Sequence, residues 1–459
     1  MVGHTFNPTL LRKYDIRGVV GDSLTAEDAV ALGQTYGSII IENGGKFVCL
    51  GRDGRLSSPE IMMSLASGLM STGVNVVDIG LSATPMLYYA SRMLDAPGAI
   101  MITGSHNPPN YNGFKLVLAN KPFWADQIQQ LGKRSTSGDW VEGHGEKIEL
   151  NILNAYVSRL CRDFHSDREL KVVWDAGNSS VGPAVAEMAR RLPGQHVVLN
   201  ETVDGSFPAH HPDPTVPENL TDLINSVTGM GYDLGIAFDG DGDRIGAVDG
   251  NGRIAWGDQL LAIFAKELLS RRPGSEVIAD VKASQVLFDE IEKLGGVPVM
   301  CAPGHSVIKS LMAESGAPLA GEMSGHIFFE DGYYGYDDAL YAAIRLIDII
   351  AASEFSLSDM LSDLPQMLNT PEVRIEVSEE RKFAIVEEVL ADAKADNLSI
   401  NEVDGLRVNN NDGWWLLRAS NTEAALVVRC EAGDENGLDR LIKTVSKYLS
   451  RAGVVYKTS

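Results

Sequence analysis

FVCLGRD (47–53) is an apolar run that ends on an acid, and the same plan returns as VVWDAGN (172–178) and VIADVKA (277–283). Short apolar runs rich in β-branched residues read as buried strands. Each is followed by a helical stretch and a second apolar run: VNVVDIG (74–80), HVVLN (196–200) and VPVMC (297–301). Behind the first, Ser57 and Ser58 precede Pro59, a hydroxyl cap with proline at the first helical position, and Gly73 follows the helix end. Strand, helix and strand joined by short connections predict a mainly parallel α/β sheet. Threefold recurrence predicts three structurally related domains, with ordinary alternation inside one large α/β domain as the alternative.

Beyond residue 366 the pattern changes. VRIEVS (373–378), a helical FAIVEEVLADAK (383–394), the strand-like WWLLRAS (414–420) and AALVVRCEA (424–432), and a helix from Glu435 predict a small α+β domain. The expected units are 1–150, 151–253, 254–366 and 367–459, since 459 residues exceed what one ordinary core organises.

Hydrophobic content of 44% with 22% charged residues is that of a globular chain. Acidic residues outnumber basic ones by 62 to 39, for a net charge of −23. That balance argues against nucleic acid or an anionic membrane as partner, and an anionic substrate then requires a locally cationic pocket. Cys49, Cys161, Cys301 and Cys430 form no CxxC pair and read as reduced thiols. The opening MVGHTFNPTLLRKYD has no apolar core of signal-peptide length, and AAIRLIDIIAA (342–352) is interrupted by Arg345 and Asp348. A cytoplasmic protein is expected. Oligomerisation leaves no mark in the sequence, so the oligomeric state stays open with a monomer favoured.

Four motifs carry chemistry. TGSHNPPNYNGFK (103–115) follows the apolar run GAIMI (98–102), at the strand end where open α/β sheets place their ligands. Ser105, flanked by His106 and Lys115, reads as a phosphoryl acceptor or as a structural turn whose side chains bond the backbone. FDGDGDR (238–244) closes the strand DLGIA (233–237) and sets Asp239, Asp241 and Asp243 at alternate positions. Three adjacent carboxylates repel without a cation, and hard oxygens suit Mg²⁺ or Ca²⁺. An EF-hand fails, because its Gly and Glu positions hold Arg244 and Gly250.

GEMSGH (321–326) places Glu322, Ser324 and His326 at alternate positions, which an extended segment aims one way, toward sugar hydroxyls or into a loop with a satisfied Glu. RASNTE (418–423) offers the guanidinium fork of Arg418 with Ser420, Asn421 and Thr422, a phosphate cradle or a plain hairpin turn. GRDGR (51–55) and KYDIRG (13–18) put arginines near turns, to meet phosphate or to pair with aspartates. HHPDP (210–214) reads as a stiff linker rather than a metal pair. No GxxxxGK[ST], GxGxxG or HExxH occurs.

In this order, one per expected domain, the four motifs resemble the α-D-phosphohexomutase family in its bacterial phosphomannomutase/phosphoglucomutase branch. The resemblance runs from KYDIRGVVGD to RASNTE. It implies three related α/β domains and a final α+β domain of the TATA-box-binding-protein-like kind around a central cleft. It further implies phosphorylation of Ser105, Mg²⁺ held by Asp239, Asp241, Asp243 and the phosphoserine, and glucose 1,6-bisphosphate as activator. Arg418, Ser420, Asn421 and Thr422 then grip the distal phosphate of a phosphosugar. Glu322 and Ser324 read hydroxyls, with Lys282 and His305 beside them. Tyr14, Arg17, His106, Lys115, Arg244 and His326 surround the reacting group, with Lys115, His326 and Arg17 as candidates for the general base. Met323 stands where phosphoglucosamine mutases carry Gln, which points to mannose and glucose phosphates. Two rivals remain: a haloacid-dehalogenase-like phosphotransferase with Asp239 as nucleophile and Asp241 as acid/base, and a sugar-phosphate sensor without turnover.

Overall fold

The computed structural model describes residues 3–420 and 424–456. The first run becomes the strand Phe47–Arg52, buried through Val48, Cys49 and Leu50 because both faces of its sheet are covered. Asn75–Leu81 and Gly98–Ile102 flank it in parallel, and Tyr111–Leu118 runs antiparallel beside Gly98–Ile102. In the second unit Leu170–Asp175 lies between Gly194–Leu199 and Leu234–Phe238, both parallel, with Ile245–Asp249 antiparallel beyond. The third repeats this with Glu276–Asp280 between Val297–Cys301 and Leu319–Gly321, and Ile327–Phe329 antiparallel. One topology thus recurs three times, which decides for three related units over a single large sheet. Each unit adds an antiparallel strand to its parallel trio, so the sheets are mixed.

The helix Ser58–Met70 carries Pro59 in its first turn, but Ser57 makes no capping bond. Ser58 Oγ donates to Asp53 Oδ1 at 2.5 Å, and Ser57 Oγ accepts from Asn112 Nδ2 at 2.9 Å. The buried carboxylate and amide draw these hydroxyls away from the helix end.

Val373–Glu376, Ala425–Ala432, Gly413–Ala419, Leu406–Asn410 and Ser399–Asn401 build a wholly antiparallel last sheet. One face packs Trp415, Leu417, Val428 and Cys430 against the helices Lys382–Ala395 and Glu435–Arg451. The other presents Trp414 and Leu416 to Val281 of the third unit. The first three units share one continuous apolar cluster, whereas the last domain has its own. No helix among the described residues is long and apolar enough to cross a membrane.

Candidate active site

Three of the four motifs occupy one topological place, the link between the third parallel strand and its antiparallel neighbour. Ser105 lies between Gly98–Ile102 and Tyr111–Leu118, the triad between Leu234–Phe238 and Ile245–Asp249, and GEMSGH between Leu319–Gly321 and Ile327–Phe329. The units turn these links toward one cleft of about 1320 Å³.

Ser105 is buried with φ of 49°, in the left-handed region that non-glycine residues rarely adopt. Arg55 imposes that conformation. Its buried guanidinium donates to the carbonyls of Ser105 at 2.7 Å, Asn107 at 2.6 Å, Pro108 at 2.5 Å and Tyr111 at 3.0 Å, and to Asp53 Oδ2 at 3.1 Å. Of the two readings of GRDGR, pairing with aspartate therefore holds for Arg55. Gly104 is required because a Cβ there would lie 2.4 Å from Arg55 Cζ. Ser105 Oγ donates to Asp239 Oδ2 at 2.9 Å and lies 3.0 Å from His106 Nδ1. Burial, then the charges of Arg244 and Arg17, hold His106 well below the usual imidazole range, so the ring is neutral.

Asp239, Asp241 and Asp243 are fully buried, and one oxygen of each lies within 4.8 Å of the others. Asp239 Oδ1 accepts from the backbone N–H of Gly242 at 2.9 Å, Asp243 at 3.1 Å and Arg244 at 3.2 Å, which fixes the loop. Asp241 Oδ2 accepts from Thr84 Oγ1 at 2.5 Å and Lys115 Nζ at 2.7 Å, and Lys115 Nζ also donates to Asp243 Oδ2. Asp241 Oδ1 and Asp243 Oδ1 are buried without a hydrogen-bond partner among the described residues. Burial and the neighbouring Asp243 and Asp241 charges push Asp239 well above the carboxylate range. Burial also acts on Asp241, yet the Lys115 ammonium holds it below that range. Lys115 and Arg244 offset the buried acidic cluster incompletely, and its side chains offer oxygens within one short span of one another. The triad fits a divalent metal ion.

GEMSGH does not form the extended segment that its alternation suggests. It is a tight turn in which Gly325 adopts φ of 90° and Glu322 N–H donates to the His326 carbonyl at 2.8 Å. Glu322 and His326 stand side by side, with Ser324 at the tip lining the same cleft. Glu322 Oε1 accepts from Gly304 N–H at 2.7 Å. His326 Nε2 accepts from Arg244 Nε at 3.0 Å, which leaves the ring proton on Nδ1, 3.1 Å from Asp337 Oδ2. His305 stacks on His326 at 5.8 Å, and burial followed by the Lys309 charge depresses it well below the usual range.

Tyr14 stacks on Trp124 and donates to the Pro303 carbonyl at 3.1 Å. Arg17 bonds Asp15 and the Asn107 side chain. Lys282 lines the cleft between the third unit and the last domain, where Arg418 is held by Asp404 and Ser420 N–H donates to Ala425 O at 2.9 Å. Asn421 and Thr422 lie outside the described residues. The cleft brings together every other predicted site residue, with Asp239 and Asp241 buried beneath its floor. Basic side chains outnumber acidic ones along it, the local reversal that an acidic chain needs for an anionic substrate. Sequence reading missed Thr84, which bonds Asp241 across a unit boundary, and Asp337, which pairs with His326 and Lys309 inside the third unit; neither has a motif of its own. HHPDP is a strut: His210 Nε2 pairs with Asp175 Oδ2 at 2.9 Å, and Pro212 abuts Gly177.

Four family matches cover the chain: the phosphoglucomutase/phosphomannomutase α/β/α domains I, II and III over residues 8–141, 154–252 and 256–368, and the C-terminal domain over 372–447. The chain belongs to the phosphoglucomutase/phosphomannomutase family. A Pseudomonas aeruginosa protein named phosphomannomutase/phosphoglucomutase is 46% identical over 441 residues, 96% of this chain and 95% of that one. A Neisseria gonorrhoeae phosphoglucomutase is 41% identical over 94% of this chain and 95% of its own. A crystal structure of a phosphoglucomutase/phosphomannomutase family protein from Burkholderia thailandensis superposes with a TM-score of 0.93 at 41% identity, covering 98% of both chains.

Proposed function

We propose that the chain interconverts hexose 1-phosphate and hexose 6-phosphate, of mannose and of glucose, through phospho-Ser105 and a hexose 1,6-bisphosphate. The observation that carries this reading is Ser105 Oγ, 2.9 Å from Asp239 Oδ2 in a buried acidic triad at the floor of a wide cleft. The name of the Pseudomonas relative, which covers both sugars, supports the same substrates.

Phosphoryl transfer asks a protein chiefly for alignment and charge neutralisation. Asp239, Asp241 and Asp243 would hold Mg²⁺ with the phosphoserine, and the ion supplies the positive charge that lets two phosphate groups approach. Arg17, Lys115 and Arg244 add further cationic charge around the transferring group. Burial opposes the Lys115 charge, but Asp241 and Asp243 raise its pKa well above normal, so it enters as an ammonium. Among the base candidates His326 could take the sugar hydroxyl proton only on releasing Arg244, since its Nε2 lone pair accepts from that guanidinium and its Nδ1 carries the proton beside Asp337.

Glu322 and Ser324 read sugar hydroxyls, with Tyr14, Lys282 and His305 along the walls. Arg418 and Ser420, continued by Asn421 and Thr422, grip the phosphate that does not react. The bisphosphate reorients, its second phosphate returns to Ser105, and the cradle accepts phosphate on either carbon. The work falls to four units: serine loop in 1–150, metal loop in 151–253, sugar loop in 254–366 and phosphate loop in 367–459. The last domain, with its separate core, closes over substrate about a hinge near 367. Solution scattering should show compaction with a bound phosphosugar.

Asp239 as nucleophile is disfavoured because its oxygens are engaged by three backbone N–H groups and Ser105. The test supplies Mg²⁺, a trace of glucose 1,6-bisphosphate, and glucose 1-phosphate or mannose 1-phosphate, and follows 6-phosphate formation. Turnover of both sugars that disappears in Ser105→Ala establishes the reading. Turnover undiminished by that change moves the nucleophile elsewhere, and binding without turnover leaves a sensor.

A further inference from the structure

The central strand of each related unit ends on, or one residue before, a buried aspartate. Asp53 is saturated: Ser58 Oγ donates to it at 2.5 Å, Arg55 N–H at 3.1 Å, Arg55 Nε at 3.1 Å and Gly104 N–H at 3.0 Å. So is Asp175, with Gly177 N–H at 2.9 Å, Asn200 Nδ2 at 2.9 Å and His210 Nε2 at 2.9 Å. The third differs. Asp280 is fully buried, yet neither of its oxygens accepts a hydrogen bond among the described residues.

The nearby cation is Lys282, whose Nζ stands 3.6 Å from Asp280 Oδ2 and 3.5 Å from Glu372 Oε1. Glu372 Oε1 is also buried without a hydrogen-bond partner among the described residues, and it lies between Leu368–Asn369 and Val373–Glu376, two strands of the last sheet. The ammonium is therefore compensated from two sides at ion-pair distance, with no directional bond to either carboxylate. Among the described residues no acceptor takes its N–H donors on the side that faces the cleft.

The backbone beneath it is fixed. Arg407 Nη1 donates to the carbonyls of Val281 at 2.8 Å and Ala283 at 2.8 Å, the two residues that bracket Lys282. Arg407 stacks on Trp414 at 3.9 Å, and Glu431 Oε1 accepts from Trp414 Nε1 at 2.8 Å and Gln285 N–H at 3.0 Å. With its main chain clamped, Lys282 has only its side chain to commit. A buried carboxylate without hydrogen bonds is costly to the fold, and a fold that saturates two such aspartates leaves the third open.

We propose that Asp280 is a positioning residue for substrate binding: together with Glu372 it holds the Lys282 ammonium charged at the cleft wall with its donors unused, ready for the oxygens of a sugar phosphate. The inference rests on the reading of the cleft as a phosphosugar site. A charge-assisted hydrogen bond contributes about 1.5–3 kcal/mol, so its loss corresponds to roughly ten- to hundredfold in affinity.

The test is a double-mutant cycle on the full chain, with the dissociation constant for glucose 6-phosphate read by calorimetry and thermal melting read alongside. Asp280→Asn should weaken binding about tenfold or more. Lys282→Met should weaken it similarly, and the double variant should bind no worse than Lys282→Met alone. Asp280→Asn leaves the Lys282 ammonium with Glu372 alone, so any loss of melting should be recovered in the double variant, where the uncompensated charge is gone; a purely structural aspartate would lower melting in both. Glu372→Gln, nearer solvent, is the second variant: about threefold weaker binding, absent in the Lys282→Met background. Unchanged affinity in Asp280→Asn, losses that multiply in the double variant, or a wild-type chain that binds no sugar phosphate each overturn the proposal. A wild-type chain that binds but never isomerises removes the mutase reading alone, and the coupling between Asp280 and Lys282 then still decides the proposal.

Discussion

Lys115, on a strand of the first sheet, places its ammonium 2.7 Å from Asp241 Oδ2 in the second, and also donates to Asp243 Oδ2. The ion pair crosses a unit boundary and is almost fully buried. It ties the serine loop to the acidic loop and shares the triad's field with any metal there. In Lys115→Met the triad loses its internal compensation, so Mn²⁺ should bind more tightly in a direct titration. Turnover should fall by about 10²–10⁴-fold, since charge neutralisation and proton handling at the transferring group are both weakened. Metal affinity and turnover both unchanged would reduce Lys115 to a strut.

Gly240 and Ser105 meet main chain to main chain. A Cβ on Gly240 would lie 2.2 Å from the Ser105 carbonyl oxygen, a distance no relaxed structure holds. Gly240→Ala must part the serine and acidic loops by about 1 Å, and such a misplacement costs about 10²-fold in rate. The expected signature is a lower kcat with little change in the far-ultraviolet spectrum. Full activity in that variant would mean that the loops need no contact.

Much of this was legible because it is local. The three apolar runs ending on Asp53, Asp175 and Asp280 became central strands of three equivalent sheets. The motifs became loops at strand ends, where only short-range turn chemistry is needed. What the sequence hid depends on distance. Arg55 is one charged residue beside a turn until the fold brings it under the Ser105 loop, and Thr84 pairs with Asp241 across 157 positions. GEMSGH misled because alternation predicts an extended segment only where φ stays negative, and Gly325 turns the chain instead. The hydroxyls of Ser57 and Ser58 missed their capping role because Asn112 and Asp53 engage them.

Arg418 reaches the cleft while Asp404 holds its Nε, which fixes the plane in which the guanidinium would meet a phosphate. Lysine keeps the charge and loses the fork. Arg418→Lys should raise KM for glucose 1-phosphate about tenfold or more while kcat falls far less, because the distal phosphate is held alike in ground and transition states. Equal losses in kcat and kcat/KM would instead place Arg418 in transition-state stabilisation.

Asp338 sets the last expectation, one of stability rather than catalysis. It caps the helix Ala339–Ala352, accepting from Tyr341 N–H at 2.9 Å, and receives Tyr156 OH at 2.9 Å and Tyr333 OH at 2.7 Å. Burial raises its pKa from the ordinary 3.8 to about 6 against these hydrogen bonds. The folded state therefore holds a proton here that the unfolded chain has already released, so this group's contribution is complete below about pH 4 and is lost as pH rises through about 6. The difference corresponds to about 3 kcal/mol. Asp338→Asn keeps the cap and deletes the titration. Urea unfolding of both chains between pH 4 and 7 should give a stability difference, wild type minus variant, that falls by about this amount across the window. Parallel curves would mean that Asp338 ionises alike in the folded and unfolded chain, with solvent reaching it between the tyrosines.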